Sequence, residues 1–154
     1  MAWTKVNFGK HSGKTLPQIA FADPDYLYWA IGDKLFAKGP LAAEAKDVAR
    51  KAQRIRIQGC DPGEKKVRYY THNPSGKLGN VEVVEADRGP HHGSSATNDR
   101  DFFDLFYASK LASYDKTGGS FVVSAVKYNV LGASDYRMTK ARAEAFFDNA
   151  SNFG

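Results

Sequence analysis

Between residues 41 and 86 the spacing of apolar side chains changes period, and that change restricts the fold more than any other feature of the chain. Leu41, Ala45, Val48, Ala52 and Ile55 recur at offsets of 4, 7, 11 and 14, which stacks them on one face of a helix. The run Gly59-Cys60-Asp61-Pro62-Gly63 then interrupts any regular element. Beyond it Val67, Tyr69 and Thr71 alternate with Lys66, Arg68, Tyr70 and His72, the two-residue period of a strand with one buried face. Asn73-Pro74-Ser75-Gly76-Lys77 supplies turn residues, and residues 80–86 a returning strand, so a β-hairpin is expected. A chain that must bury both a helical stripe and a strand face is expected to be α+β, with a small antiparallel sheet packed with three or four helices. Its 154 residues, 42% of them hydrophobic, suffice for one core, so a single domain over 1–154 is expected. The break at 59–63 is where an N-terminal module, 1–57, and a C-terminal portion, 58–154, would divide.

Elsewhere the pattern is read piece by piece. Thr4, Val6 and Phe8 alternate with Lys5 and Asn7 and predict a short strand. Residues 16–20 suit one helical turn with Pro17 near its start. Asp23 reads as an N-cap with Pro24 at the first helical position, opening a helix to about residue 34 whose stripe is Leu27, Ala30, Ile31 and Leu35. Residues 88–98 have no period and are expected to form a mobile loop. Residues 101–114 lean towards helix, 115–119 towards a turn, and 121–130 are β-branched enough to predict a strand. Residues 139–150 close the chain as a helix burying Met138, Ala141, Ala145 and Phe146 or their neighbours.

Charge and cysteine content bound the setting. A formal net charge of +5 favours anionic partners such as nucleic acid or acidic protein surfaces. Cys60 is the sole cysteine, which excludes an intramolecular disulfide and is consistent with a reducing compartment. Residues 1–7 lack the apolar core of a signal peptide, and no run approaches the roughly 18 apolar residues of a membrane span. A cytoplasmic protein without a membrane partner is expected.

Phe8-Gly9-Lys10-His11-Ser12-Gly13-Lys14-Thr15 is the stretch richest in chemistry. Gly9 and Gly13 permit positive φ, while Lys10, His11, Lys14 and Thr15 crowd donors into a short arc suited to a phosphate or another polyanion. Lysines beside aromatic rings fit single-stranded nucleic acid, because ammonium groups pair with phosphates while bases stack on Tyr26 or Trp29, each stack worth about 1–3 kcal/mol. Lys46, Arg50 and Arg54, with Arg68 on the hairpin, would extend this basic surface if they share a face. Simpler readings stand beside each assignment. Phe8, Tyr26, Leu27 and Trp29 would equally build a small core, Glu44 and Asp47 would pair with cations of their own helix, and Glu82 and Glu85 would pair across the hairpin with Lys66 and Arg68.

The same stretch falls one residue short of the phosphate-binding pattern G-x-x-x-x-G-K-[ST], since three residues separate Gly9 from Gly13, and Pro17 with the early break before Asp23 denies it the long following helix. An ATP- or GTP-hydrolysing domain is not expected. What Phe8-Gly9-Lys10-His11-Ser12-Gly13-Lys14 does resemble, together with Asp23-Pro24-Asp25-Tyr26-Leu27-Tyr28-Trp29, is the exodeoxyribonuclease X-like C-terminal domain, whose pattern is F-G-K-[HY]-x-G-[KR] and then D-P-x-Y-L-x-W. The resemblance covers residues 7 to 31. It implies a module appended to DNA exonucleases, helicases and phage proteins, with Gly9, Lys10, His11, Gly13 and Lys14 forming its loop and Tyr26 and Trp29 its aromatic face. The carboxylate-rich catalytic domain of such a nuclease has no counterpart here.

Three functions remain open from the sequence. The first is a non-enzymatic DNA- or RNA-binding accessory protein, single strands favoured, with no cofactor. The second is a protein-interaction module docking on a nuclease, helicase or phage partner through Tyr26, Tyr28 and Trp29. The third is a metal-dependent phosphodiesterase centred on His91 and His92 near Asp87, Asp99, Asp101 and Asp104, although adjacent histidines diverge and Cys60 lacks the paired spacing of a zinc site.

Overall fold

The computed structural model of the chain describes residues 2–72, 74–111 and 116–154. Within them lie α1 (Leu16–Ala22), α2 (Pro24–Gly32), α3 (Pro40–Ala52), β1 (Ile55–Arg56), β2 (Lys65–Thr71), β3 (Leu78–Glu85), β4 (Ala96–Arg100), β5 (Phe102–Phe103), α4 (Tyr107–Leu111), α5 (Lys116–Leu131) and α6 (Lys140–Asp148). The protein is mixed α+β, with six α-helices among the described residues and two antiparallel sheets. One sheet runs in the order β3-β2-β4 and the other pairs β1 with β5. No helix is long and apolar enough to cross a membrane among the described residues.

The hairpin forms where the alternation places it. Val67 faces Val83 and Tyr69 faces Val81 across β2 and β3, and Val67 and Tyr69 are fully buried. The turn residue Asn73 lies outside the described residues. On the opposite face of β2, Arg68 and Tyr70 are buried too, because the segment after β3 folds back over them. Arg68 donates to the carbonyls of Gly89 and Arg88 at 3.1 and 3.3 Å, and His91 meets the Tyr70 ring edge-on at 4.9 Å.

Several expectations are corrected. Residues 121–130 are not a strand but belong to α5. Val122, Val123 and Val126 are buried while Ser120, Ser124 and Tyr128 are exposed, a helical period against which β-branching is a weaker preference. Of the predicted turn at 115–119, Asp115 lies outside the described residues and the remainder is the first turn of α5. Residues 101–114 hold only the short α4 after β5, with 112–114 outside the described residues. The expected loop at 88–98 ends in β4, an edge strand whose Ala-Thr-Asn-Asp-Arg sequence carries no apolar alternation and is recruited by backbone pairing with β2. Ile55 leaves the helical stripe: α3 stops at Ala52, and Ile55 pairs with Phe103. Arg68 does not pair with Glu82, although the two are in register; its guanidinium grips Asp99 on β4 with contacts of 2.8 and 3.0 Å. Lys66 pairs with Asp101, and Lys65 approaches Glu85 at 4.0 Å.

One core of buried side chains extends from Trp3 to Phe153. In α6 the buried residues are Ala143, Phe146 and Phe147, with Ala141 and Ala145 exposed. Phe21 of α1 packs edge-on against Phe146 and Phe147, at 5.2 and 5.9 Å. This seats α1 against α6.

Candidate nucleic-acid interface

Residues 7–15 form a turn, not the end of a regular strand. The Val6 amide donates to the Lys14 carbonyl at 2.8 Å and the Gly13 amide returns to the Val6 carbonyl at 2.7 Å, closing the ends of the turn like one rung of a ladder. Gly9 and Gly13 have φ of 70° and 87°, values that cost an L-residue about 1–2 kcal/mol. Val6 is fully buried and anchors the turn from beneath, whereas Phe8 is 36% exposed.

Asp23 is the centre on which the turn closes. Its backbone ends α1 and begins α2, and its carboxylate divides its labour. Oδ1 accepts from the Tyr26 amide at 3.3 Å, capping α2. Oδ2 accepts from His11 Nε2 at 3.0 Å and from Lys10 Nζ at 3.1 Å. Lys14 Nζ lies 3.1 Å from His11 Nδ1. An ammonium only donates, so Nδ1 accepts and the ring proton resides on Nε2, facing Asp23. Burial resists ionisation of Asp23, but the hydrogen bonds from His11, Lys10 and the Tyr26 amide outweigh it and hold the carboxyl below its ordinary value.

Tyr26 floors the cluster. Its ring meets His11 at 4.6 Å and underlies Lys10 Nζ at 5.1 Å, and its hydroxyl would lie 3.4 Å from a Cβ at position 9. Lys10, His11, Lys14 and Tyr26 are thus brought together, and their availability differs. His11 is buried at 7% exposure and serves as the hub of the turn, not as a surface contact. The Lys10 side chain is 57% exposed and Lys14 is half-buried. Trp29 sits on the flank of α2, edge-on to Tyr28 at 5.2 Å, and Tyr28 in turn contacts Phe106 at 5.5 Å.

The remaining sequence candidates lie on or beside later elements of the chain. Lys46 and Arg50 are exposed one turn from each other on α3, with Arg50 on Asp47 at 3.0 Å. Arg54 lies over the Phe102 ring at 4.6 Å and donates to the Gly154 carbonyl at 2.9 Å. Arg68, 3% exposed, is committed to Asp99 and to loop carbonyls; its hydrogen bonds to the Asp99 carboxylate raise its pKa further above the ordinary guanidinium value against the effect of burial, so it presents no free fork to a phosphate. His91 and His92 are exposed, and among the described residues no three His, Cys, Asp or Glu side chains gather as a metal site.

Sequence reasoning recognised Asp23 as a cap and missed it as the counter-ion of the turn. The signal was present, because a capping carboxylate uses one oxygen and leaves the other for a neighbour. It also passed over Lys5, Lys34 and Lys38, which carry no motif.

Neither curated proteins nor solved structures yielded a match to the chain. Residues 6–33, the turn with α1 and α2, match the family described as Exodeoxyribonuclease X-like C-terminal, so the similarity is to this local segment and to no more of the chain.

Proposed function

We propose that this chain is a non-enzymatic accessory protein that contacts nucleic acid, single strands in preference, through the turn between Gly9 and Gly13. The observation that carries the reading is the charge count around Asp23. Two ammonium groups, Lys10 and Lys14, converge on one carboxylate with a neutral imidazole between them, leaving an excess positive charge beside an aromatic ring. An ion pair to a lysine as exposed as Lys10 is worth less than about 1 kcal/mol, so a phosphate displaces it at little cost. The exodeoxyribonuclease X-like segment supports the same reading by association with nucleases. Within this proposal Lys10 and Lys14 touch phosphate, Tyr26 supports them, His11 positions them, Lys46 and Arg50 contribute field, and Arg68 is structural.

Fluorescence anisotropy with a labelled twelve-residue oligothymidylate, followed from 50 to 300 mM KCl, tests it. Replacing both Lys10 and Lys14 by alanine removes two phosphate contacts and lowers the slope of log K against log salt by about 1.4, at about 0.7 per contact for single strands. An unaltered slope and affinity in a folded double variant rejects the assignment.

A further inference from the structure

A second cationic site adjoins the turn. Lys5, Phe8, Lys34, Leu35 and Lys38 line a groove of about 410 Å³ between the segment preceding Gly9 and the residues that follow α2. No acid lines it. Glu44, which bonds the groove residue Thr4, is 5% exposed, and both its oxygens are engaged by the amide and hydroxyl of Thr4 at 2.9 and 2.6 Å. Asp33 neighbours Lys34 in sequence but does not line the groove. Lys5, Lys34 and Lys38 form no ion pair among the described residues, in contrast to Lys10, Lys51, Lys65, Lys66, Lys110 and Lys140.

Two further features distinguish this groove from a solvated lysine cluster. The Phe8 ring is 36% exposed and leans at 5.8 Å on Phe36, itself buried at 4%, so it is a supported platform with an open face. Lys34 is the one non-glycine residue with positive φ among the described residues, at 61°. The bond from the Leu35 amide to the Ala30 carbonyl at 3.0 Å closes α2 in the left-handed geometry that glycine adopts at least cost. Backbone stability would be served better by glycine. Lysine at that place puts a cation on the groove, which is the pattern of local strain retained for a site.

We propose that this groove is a second subsite for single-stranded nucleic acid, an unpaired base stacking on Phe8 with its flanking phosphates on Lys5, Lys34 and Lys38. The inference rests on the nucleic-acid reading of the turn, which Phe8 joins to the groove. A duplex does not fit the role, because its bases are already stacked, and an acidic peptide would have no use for the open ring.

The test uses the full chain and three probes: the labelled oligothymidylate, an abasic phosphodiester of equal length, and a duplex. Lys34→Gly is the informative variant, because it relieves the left-handed strain and should melt no lower than the parent while binding the oligothymidylate more weakly. The combined Lys5→Ala, Lys34→Gly, Lys38→Ala variant should lose about 2 from the salt slope, three contacts at about 0.7 each. Phe8→Leu should weaken binding of the oligothymidylate at least threefold and leave the abasic probe unaffected. Preference for the oligothymidylate over both other probes, lost in these variants, supports the subsite. Parental affinity in the lysine variants, or equal binding of abasic and thymidylate probes, overturns it. If these variants bind normally while the Lys10, Lys14 double variant does not, the groove fails and the turn stands. If the parent binds none of the probes, both fail.

Discussion

Asp23 shows how one side chain serves both fold and site. It caps α2 with one oxygen and holds Lys10 and His11 with the other. Because its folded pKa is depressed, its stabilising contribution is complete above the ordinary value of 3.8 and is lost as pH falls through the lower folded value. Asp99, lowered by its hydrogen bonds from Arg68 against the opposing effect of burial, acts in the same direction. Asp104 acts oppositely, since burial raises it despite Lys110, so its share is lost as pH rises above 3.8. Asp23→Asn keeps a capping oxygen and removes the charge. Urea midpoints measured from pH 2 to 7 should therefore show a shallower acid limb in Asp23→Asn than in the parent. The same variant frees Lys10, so its oligothymidylate affinity at pH 7 should rise; a fall would contradict the proposed competition between carboxylate and phosphate. At Gly13, with φ of 87° and open space among the described residues where a Cβ would lie, alanine meets strain without a clash and should cost about 1 kcal/mol by chemical denaturation.

At the level of elements, α5 shows why local preference misleads. Its valines are strand formers by propensity, but burial of Val122, Val123 and Val126 at a helical spacing selects the helix. Gly118 and Gly119, which read as a turn, are buried within the helix start instead. A Cβ at Gly119 would come within 3.1 Å of Pro24 Cγ, so the glycine lets α5 approach α2. Gly119→Val should therefore cost about 1–3 kcal/mol through overpacking, while Ser124→Ala on the exposed face should stay within about 0.5 kcal/mol of the parent; thermal melts of the two variants check both. In α6, Thr139 caps the helix, accepting from the Arg142 amide at 3.3 Å. Its replacement by alanine should cost about 1 kcal/mol.

Across the whole molecule, the two ends of the chain close on each other. Trp3 Nε1 donates to Asp148 at 3.1 Å, Ile55 bridges to Phe153, and Arg56 donates to the Phe153 carbonyl at 2.8 Å. The Phe153 ring stacks on Phe147 at 5.5 Å and meets Phe146 edge-on at 5.4 Å. We propose on this basis that residues 1–57 and 58–154 unfold as one unit. Near-ultraviolet and far-ultraviolet circular dichroism transitions in urea should coincide, and Phe153→Ala should lower both midpoints together, a loss of about 3–5 kcal/mol in unfolding free energy. Separate transitions would divide the chain at the break.

What the amino-acid sequence determined by itself is whatever depends on neighbours along the chain. The α3 stripe, the β2–β3 hairpin, the Asp23-Pro24 start of α2 and the two glycines of the basic turn were all legible, because period, caps and positive φ are local properties. The exodeoxyribonuclease X-like segment was legible for the same reason, its residues lying close together in sequence. Tertiary structure alone decided what depends on distant partners: that α5 is a helix, that β4 joins the sheet edge, and that Arg68 belongs to Asp99 instead of Glu82. It also decided that His11 turns inward while Lys5, Lys34 and Lys38 meet around Phe8. Burial and ion pairing are set by which surfaces come together, and no spacing along the chain encodes that choice.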